Sequence, residues 1–393
     1  MKPFSVSTPE GTKDLLYSDC LARRGVQAAL GSLFRRRGYS EIITPEVEYY
    51  DLFLQSGNPL PQEAMRKLVD QSGKILVMRP DNTAPIARIC ASRLQSANLP
   101  LRLYYSQTVF RSGSANRGRN SEIAQCGVEL IGAPGRRADL EMVATAVQAL
   151  EACGVSDFRI ELGHAGFFRA LAAQLDLDEE AYERLRGAVE GKNFASLEEL
   201  LDSYGKLPAA AALRKLSMLF GGAEVLDEAR SLFDGGEARE ALDLLAWLYK
   251  ELSAAGMENR VQFDLGLVHQ LEYYTGVVFR GYAAGAGSVV LSGGRYDNLM
   301  ASFGRPAPAT GFAVDVDAVA GCLAPPEPPV PDTVVHYAPE CLRGALRLAD
   351  SMPPGACQLS PYENPEESVA LAGEKGAKCV VFLDNGTVRE VKL

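Results

Sequence analysis

The chain is poor in the residues that hold metals. Only three histidines occur, His164, His269 and His336, and the eight cysteines are scattered from Cys20 to Cys379 without a Cys-x-x-Cys pair. A zinc site is therefore not expected, and the cysteines read as reduced, mostly buried thiols. No metal or cofactor is expected on these grounds. No uninterrupted apolar run reaches the roughly 18 residues that a membrane span needs. The first ten residues lack the basic start and apolar stretch of a secretory signal. Together these absences favour a cytoplasmic protein. A wide basic field is missing too. Net charge is −10, which gives no general pull toward a phosphate backbone. The cluster Arg35-Arg36-Arg37 closes an expected helix, where cations suit the helix dipole.

What is present is ordinary for a folded chain of two or three domains: 393 residues, 47% apolar and 23% charged. A loop from Thr8 to Asp14 leads into a helix that Ser18 can cap and Gly38 can end. Strand patterns follow at Glu41–Val47, Ile75–Met78, Leu101–Phe110 and Glu122–Ile131. The last two flank the Gly, Ser, Asn and Arg-rich loop Ser112–Ser121, forming a long hairpin. Leu140–Cys153 reads as a helix and Phe158–Leu162 as a strand. From 167 to 256 Ala, Leu and Glu dominate at helical spacing, which predicts an inserted all-helical domain. Strands return at Val261–Leu267, Glu272–Gly281, Val289–Leu291 and Thr310–Val314. A proline-rich linker, 324–331, separates a small α/β domain, 332–393, read as strand, helix, helix, strand, strand. The expected organisation is thus 1–166, a helical insertion 167–256, a return of the first fold over 257–323, the linker and the small domain.

Four dispersed groups carry polar chemistry. They are Arg79-Pro-Asp-Asn-Thr83, then Arg111 with Arg119, Gln125 and Glu129, then Leu271-Glu-Tyr-Tyr-Thr-Gly276, and Ser292-Gly-Gly-Arg-Tyr-Asp297. Gln125 and Glu129 lie four apart on a strand and share a face. A carboxylate buried there needs a cationic or hydrogen-bonding partner. Asp81, Thr83, Gln125 and Glu129 together can hold an ammonium and a second polar end of a small ligand. Tyr273 and Tyr274 point to opposite faces, so one ring can line the pocket. Gly293-Gly294 permits close backbone approach. Arg111 and Arg119 suit phosphate or carboxylate.

In this order the groups resemble the histidyl-tRNA synthetases over roughly residues 8–320. Pro9-Glu-Gly-Thr-Lys-Asp14 is similar to that family's opening. Gly38–Pro45 resembles class II motif 1, and Phe110-Arg111 through Gln125 resembles motif 2. Leu267–Tyr274 resembles the histidine-binding segment, Ser292–Asp297 the family's Gly-Gly-Arg-Tyr-Asp, and Gly311–Val319 motif 3. The resemblance implies an α+β fold: a class II synthetase-like antiparallel sheet flanked by helices, in a dimer. It implies that Asp81, Thr83, Gln125, Glu129, Tyr273 and Tyr274 bind histidine, and that Arg111 and Arg119 are an anion- or nucleotide-binding remnant.

The departures fall on the nucleotide side. His269 stands where the synthetases place an arginine at the α-phosphate, Gly113 where motif 2 has a glutamate, and Ala318 where motif 3 ends in the arginine that grips ATP. Loss of one such electrostatic contact raises a barrier by about 2.7–4 kcal/mol. The pattern, with Arg79-Pro-Asp-x-Thr83 and Gly163-His-x-Gly-Phe-Phe-Arg-Ala170, is similar to the regulatory subunits of ATP phosphoribosyltransferase, paralogues of the synthetases. That family implies no catalytic residue of its own. Its expected partner is a short-form catalytic phosphoribosyltransferase, in a hetero-octamer that contains the homodimer. Histidine is the expected effector, feeding back on the first step of its own synthesis, and tRNA is not an expected partner. A divergent but active histidyl-tRNA synthetase is the alternative, favoured by Arg111 and Arg119.

Overall fold

A computed structural model describes residues 6–55, 62–112, 121–268, 274–384 and 387–393. The chain forms two compact units, 1–325 and 326–393. Among the described residues the first unit is built on a nine-stranded sheet. Its strands in chain order are β1 (Ser40–Glu41), β5 (Leu101–Phe110), β6 (Glu122–Ile131), β7 (Phe158–His164), β8 (Phe220–Gly221), β9 (Val261–Asp264), β10 (Val277–Ala283), β11 (Leu291–Arg295) and β12 (Ala309–Asp315). Across the sheet they run β1-β5-β6-β12-β11-β10-β7-β9-β8. Six of the eight neighbouring pairs are antiparallel; β1 with β5 and β7 with β9 are parallel. A separate three-stranded sheet is formed by β2 (Val47–Tyr49), β3 (Lys67–Val69) and β4 (Ile75–Met78), with β4 central.

One face of the large sheet is closed by two helices. Ser18–Arg36 presents Val26, Leu30, Leu33 and Phe34, and Arg136–Ala152 presents Met142, Val143, Ala146 and Leu150, all fully or nearly fully buried. The ring of Phe34 meets those of Tyr39, Tyr104 and Phe312 at 5.9–6.4 Å, in the edge and tilted geometries that aromatic quadrupoles favour. The helices between β7 and β9 contribute Leu171, Leu185, Leu213 and Leu245 to the same apolar cluster.

The expectations for β5, β6 and β4 hold to the residue. Others shift. The expected strand Glu41–Val47 is split, because the segment around Pro45 pairs with neither sheet. Tyr17, at φ 42°, turns the chain before the first helix, so Ser18 lies inside the helix and does not cap it. The 167–256 segment is not purely helical: Phe220 and Gly221 form β8 on the open edge of β9. The strand expected at Val289–Leu291 runs instead from Leu291 to Arg295, so Gly293-Gly294 lies within the sheet.

The second unit has a four-stranded sheet, β14-β13-β15-β16, from β13 (Thr333–Tyr337), β14 (Cys357–Leu359), β15 (Cys379–Asp384) and β16 (Thr387–Lys392). β14 was not expected. Its three residues are only half-buried and too short to show an alternating pattern. The first three strands are parallel and β16 is antiparallel to β15. Helix Leu342–Ser351 packs Ala345 on Val335, Val381 and Leu383, whereas helix Pro365–Lys375 packs Leu371 and Ala372 on Val334, Val380 and Phe382. Odd and even strand residues point to opposite faces, so the helices cover opposite sides. Truncation of the aromatic hub, Phe34→Ala, is expected to destabilise the first unit by about 3–5 kcal/mol, read by denaturant unfolding.

Candidate functional site

The other face of the large sheet carries the polar groups. Register places Glu129 of β6 beside Leu103 of β5 and Gly311 of β12, and Gly311 beside Gly294 of β11. Glycine at these positions is a steric requirement. A Cβ on Gly311 would collide with the Glu129 carboxylate, and one on Gly294 would come within 2.8 Å of the Tyr274 ring. A Cβ on Gly127 would meet the Tyr105 hydroxyl at 2.6 Å. These glycines make a floor on which longer side chains from neighbouring strands converge. Gly293 faces away and makes room for Phe279 and Phe312 in the opposite core, so only Gly294 of the expected pair faces the site.

Glu129 is 2% exposed. Its carboxylate accepts from the Thr83 hydroxyl at 3.0 Å and from the Tyr296 hydroxyl through a short hydrogen bond. Burial pushes its pKa up to about 8; the Tyr296 and Thr83 bonds oppose that shift, and nearby Asp81 adds to it. Tyr274 is buried, and its hydroxyl is shifted upward by burial and by the charges of Glu129 and Asp81. Tyr105, fully enclosed, is shifted upward by the same causes. Asp81 has a local duty as well. Its Oδ1 accepts from the backbone N–H of Ala84 at 3.0 Å and closes the first turn of helix Thr83–Ala91. Gln125 sits at the far end, where its Oε1 accepts from Asn82 Nδ2 at 3.4 Å.

Arginines that do not line the pocket hold it in shape. Arg79 is 1% exposed and donates to the carbonyls of Thr44, Pro45 and Thr108 at 2.7–3.0 Å, which fixes the start of the Asp81–Thr83 segment. Arg169 donates to the carbonyls of Tyr274 and Thr275 at 3.0 and 2.7 Å. His164 caps the helix that carries Arg169, accepting from Gly166 N–H, and burial lowers its pKa to about 4. Arg295 points away from Tyr296 into a buried pair with Asp139 at 2.8 Å.

Beside the pocket lies a cleft of about 800 Å³ lined by Lys13, Arg111, Glu122, Gln125, Asp315 and Asp317 among others, with Ala318 on its wall. Arg111 Nε donates to Pro80 O at 2.7 Å. Asp315 caps the helix that begins at Val316, and Asp317 holds Arg23 through two bonds of 2.8 and 2.7 Å. Among the described residues, this wall carries three carboxylates, Glu122, Asp315 and Asp317, against the two cations Lys13 and Arg111.

The structure therefore brings Asp81, Thr83, Glu129 and Tyr274 together, with Gln125 at the margin and Arg111 and Ala318 on the adjoining cleft. Gly113, Arg119, His269 and Tyr273 lie outside the described residues. Two participants were missed by sequence reasoning. Tyr296 sits two residues beyond Gly294, so alternation gives it the same face, but only the register of β11, β12 and β6 sets it over Glu129. Tyr105 was recoverable only from the β5–β6 register. Among the described residues, no cluster of His, Cys, Asp and Glu could hold a metal ion, and no helix is long and apolar enough to cross a membrane.

A family model described as histidyl-tRNA synthetase matches residues 11–319. Fold and site thus define a histidyl-tRNA synthetase-like protein of the class II type. An ATP phosphoribosyltransferase regulatory subunit from Clostridium kluyveri is 42% identical over 79% of this chain and 80% of its own. One from Clostridium novyi is 35% identical over 96% of this chain and 92% of its own. The chain belongs to this family, the ATP phosphoribosyltransferase regulatory subunits. A crystal structure from Bacillus halodurans, described as an ATP phosphoribosyltransferase regulatory subunit/histidyl-tRNA synthetase, is 33% identical. It matches with a TM-score of 0.87 over 98% of this chain and 100% of that one.

The folded chain keeps a proton on Glu129 up to about pH 8, whereas the unfolded chain releases it near 4.5. Between those values folding takes up a proton, so this group's contribution to stability falls as pH rises and levels off above the window. Glu129→Gln is expected to exceed the parent in stability near pH 9, by on the order of 2–4 kcal/mol, and to converge with it toward about pH 4, read by unfolding at each pH. Gly311→Ala is expected to destabilise by about 1–3 kcal/mol in the same assay, because the carboxylate it would strike is enclosed.

Proposed function

We propose that this chain is the non-catalytic regulatory subunit of a two-component ATP phosphoribosyltransferase, and that its pocket senses histidine. The observation that carries this reading is the contrast between two neighbouring sites. Around Glu129 the described residues supply a buried carboxyl, a hydroxyl on either side of it and a floor of glycine. A ligand bearing an ammonium and an imidazole would find in Asp81 and Glu129 acceptors for its N–H groups, and in Tyr274 an aromatic wall. The adjoining cleft is poorly suited to a polyphosphate: Asp315 and Asp317 face it, Ala318 offers no charge, and Arg111 spends one of its donors on Pro80. Binding without adenylation is the outcome this pair supports.

The names of the relatives supply the partner. The chain would join a short catalytic phosphoribosyltransferase, activate the first step of histidine synthesis and make it sensitive to histidine. Within that assembly it would be a homodimer. Ile43, Val69, Ile75, Tyr49 and Leu68 are exposed on or beside the three-stranded sheet, a concentration of apolar surface that a second copy would cover. Feedback requires that histidine bind one state of the assembly better than another.

The direct test combines this chain with a short catalytic subunit and follows phosphoribosyl-ATP formation. Activation by the chain and inhibition by histidine are expected. Glu129→Ala should abolish the inhibition while assembly, followed by light scattering, is retained. Unchanged histidine sensitivity would place the sensor elsewhere. Arg111 on the cleft wall favours one competing reading, an active divergent synthetase. Robust histidine-dependent exchange of pyrophosphate into ATP by the chain alone would establish that reading instead.

A further inference from the structure

The second unit contains a cleft of about 990 Å³ that belongs to no site described above. It opens at the carboxyl ends of β13, β14 and β15. The chain leaves β13 through helix Leu342–Ser351 to β14 on one side, and reaches β15 on the other side through helix Pro365–Lys375 on the opposite face. The strand order therefore reverses between β13 and β15. In open, doubly wound sheets the crevice outside the carboxyl ends at such a switch point is where ligands bind.

The wall of this cleft holds a specific device. His336 and Ser360 both line it. Between them, fully buried, lies Ser368. His336 Nδ1 is 2.8 Å from Ser368 Oγ, and Ser368 Oγ is 2.6 Å from Ser360 Oγ. The backbone N–H of Tyr362 donates to Ser360 Oγ at 3.2 Å. A neutral imidazole allows this chain two polarities. Either His336 Nε2 carries the proton and Ser360 Oγ is left as an acceptor, or Nε2 accepts and the Ser360 hydroxyl donates. In both states the wall offers one donor and one acceptor, linked so that they reverse together.

The rest of the lining narrows the ligand. Tyr362, 44% exposed, supplies an aromatic face, and the edge of the buried Phe382 lies in the lining. Arg389 lies over the Phe382 ring at 4.8 Å, and Glu363 and Asp384 are exposed on the rim. A phosphate would meet those two carboxylates. A flat, uncharged ring system with a donor and an acceptor along its edge meets none of these penalties. One of its faces would be taken by the exposed Tyr362 ring.

We propose that this cleft binds a purine base or nucleoside, read at its edge by the His336–Ser368–Ser360 chain. The site lies wholly within residues 326–393 and is independent of the Glu129 pocket.

The test is calorimetric titration of the full chain with adenosine and guanosine, and with adenosine 5′-monophosphate for comparison. One nucleoside at least is expected to bind, and more tightly than the monophosphate. Ser368→Ala severs the relay but leaves both end groups, and should weaken binding by about three- to tenfold. Should that buried change unfold the unit, seen by circular dichroism, the exposed Tyr362→Ala decides, with a comparable loss expected. Glu129→Gln should leave nucleoside binding unchanged, which separates this site from the histidine pocket. The proposal is overturned by failure of both nucleosides to bind, by equal or tighter binding of the monophosphate, or by binding that survives Tyr362→Ala. Binding seen only with an RNA oligonucleotide would overturn it too.

Discussion

A carboxyl group buried in the middle of a β-sheet is the constraint around which the first unit is arranged. Left alone in an apolar interior, an ionised Glu129 would carry a desolvation penalty that few folds tolerate. The chain offsets it with two hydroxyl donors, Thr83 and Tyr296, brought from a helix start and from the end of a strand far away in sequence. Glycine at 294 and 311 is the geometric counterpart, since any Cβ there would occupy the space the carboxylate and the Tyr274 ring require. Even so the group stays above the ordinary carboxyl range, near 8. An arriving cation would have to draw that proton off before it could pair with the carboxylate.

Much of the surrounding architecture serves to hold those donors still. Arg79 ties the Asp81–Thr83 segment to the loop at Thr44 and to β5, and Asp81 closes the helix that begins at Thr83. Arg169 reaches from the helical region to the backbone that carries Tyr274. Pocket geometry and the helices between β7 and β9 are thus joined by charge-assisted hydrogen bonds, which resist small displacements better than apolar contacts do. In the neighbouring cleft the described carboxylates have structural duties: Asp315 caps a helix and Asp317 clamps Arg23.

The two units use opposite polar strategies. In the first, a buried titratable group is held by two hydroxyl donors. In the second, two hydroxyls and an imidazole form a chain with no carboxylate in it. The difference follows from depth. Glu129 lies on a broad sheet beneath Thr83 and Tyr296, whereas the small sheet ends at a solvent-facing rim.

The long strands β4, β5 and β6 were legible because each has a clear run or alternation bounded by turn residues, and periodicity is a local property. Asp81, Thr83, Gln125 and Glu129 could be foreseen as groups able to hold one small ligand, and the motif order pointed to the family, but the bond from Thr83 to Glu129 could not be read from the chain. Short elements were not legible: β8 and β14 have too few residues to carry a pattern, and Pro45 broke a strand that composition favoured. Tyr296 escaped because the Gly-Gly-Arg-Tyr-Asp segment reads as a turn when its pairing with β12 is unseen. The sequence by itself determined which groups are polar, where the chain departs from the synthetase motifs and which faces are apolar. Only the tertiary structure decided which of those groups share one buried volume, because burial depends on register between strands separated by more than a hundred residues. The energy of a carboxyl group is fixed by that surrounding volume, and no neighbour in the chain supplies it.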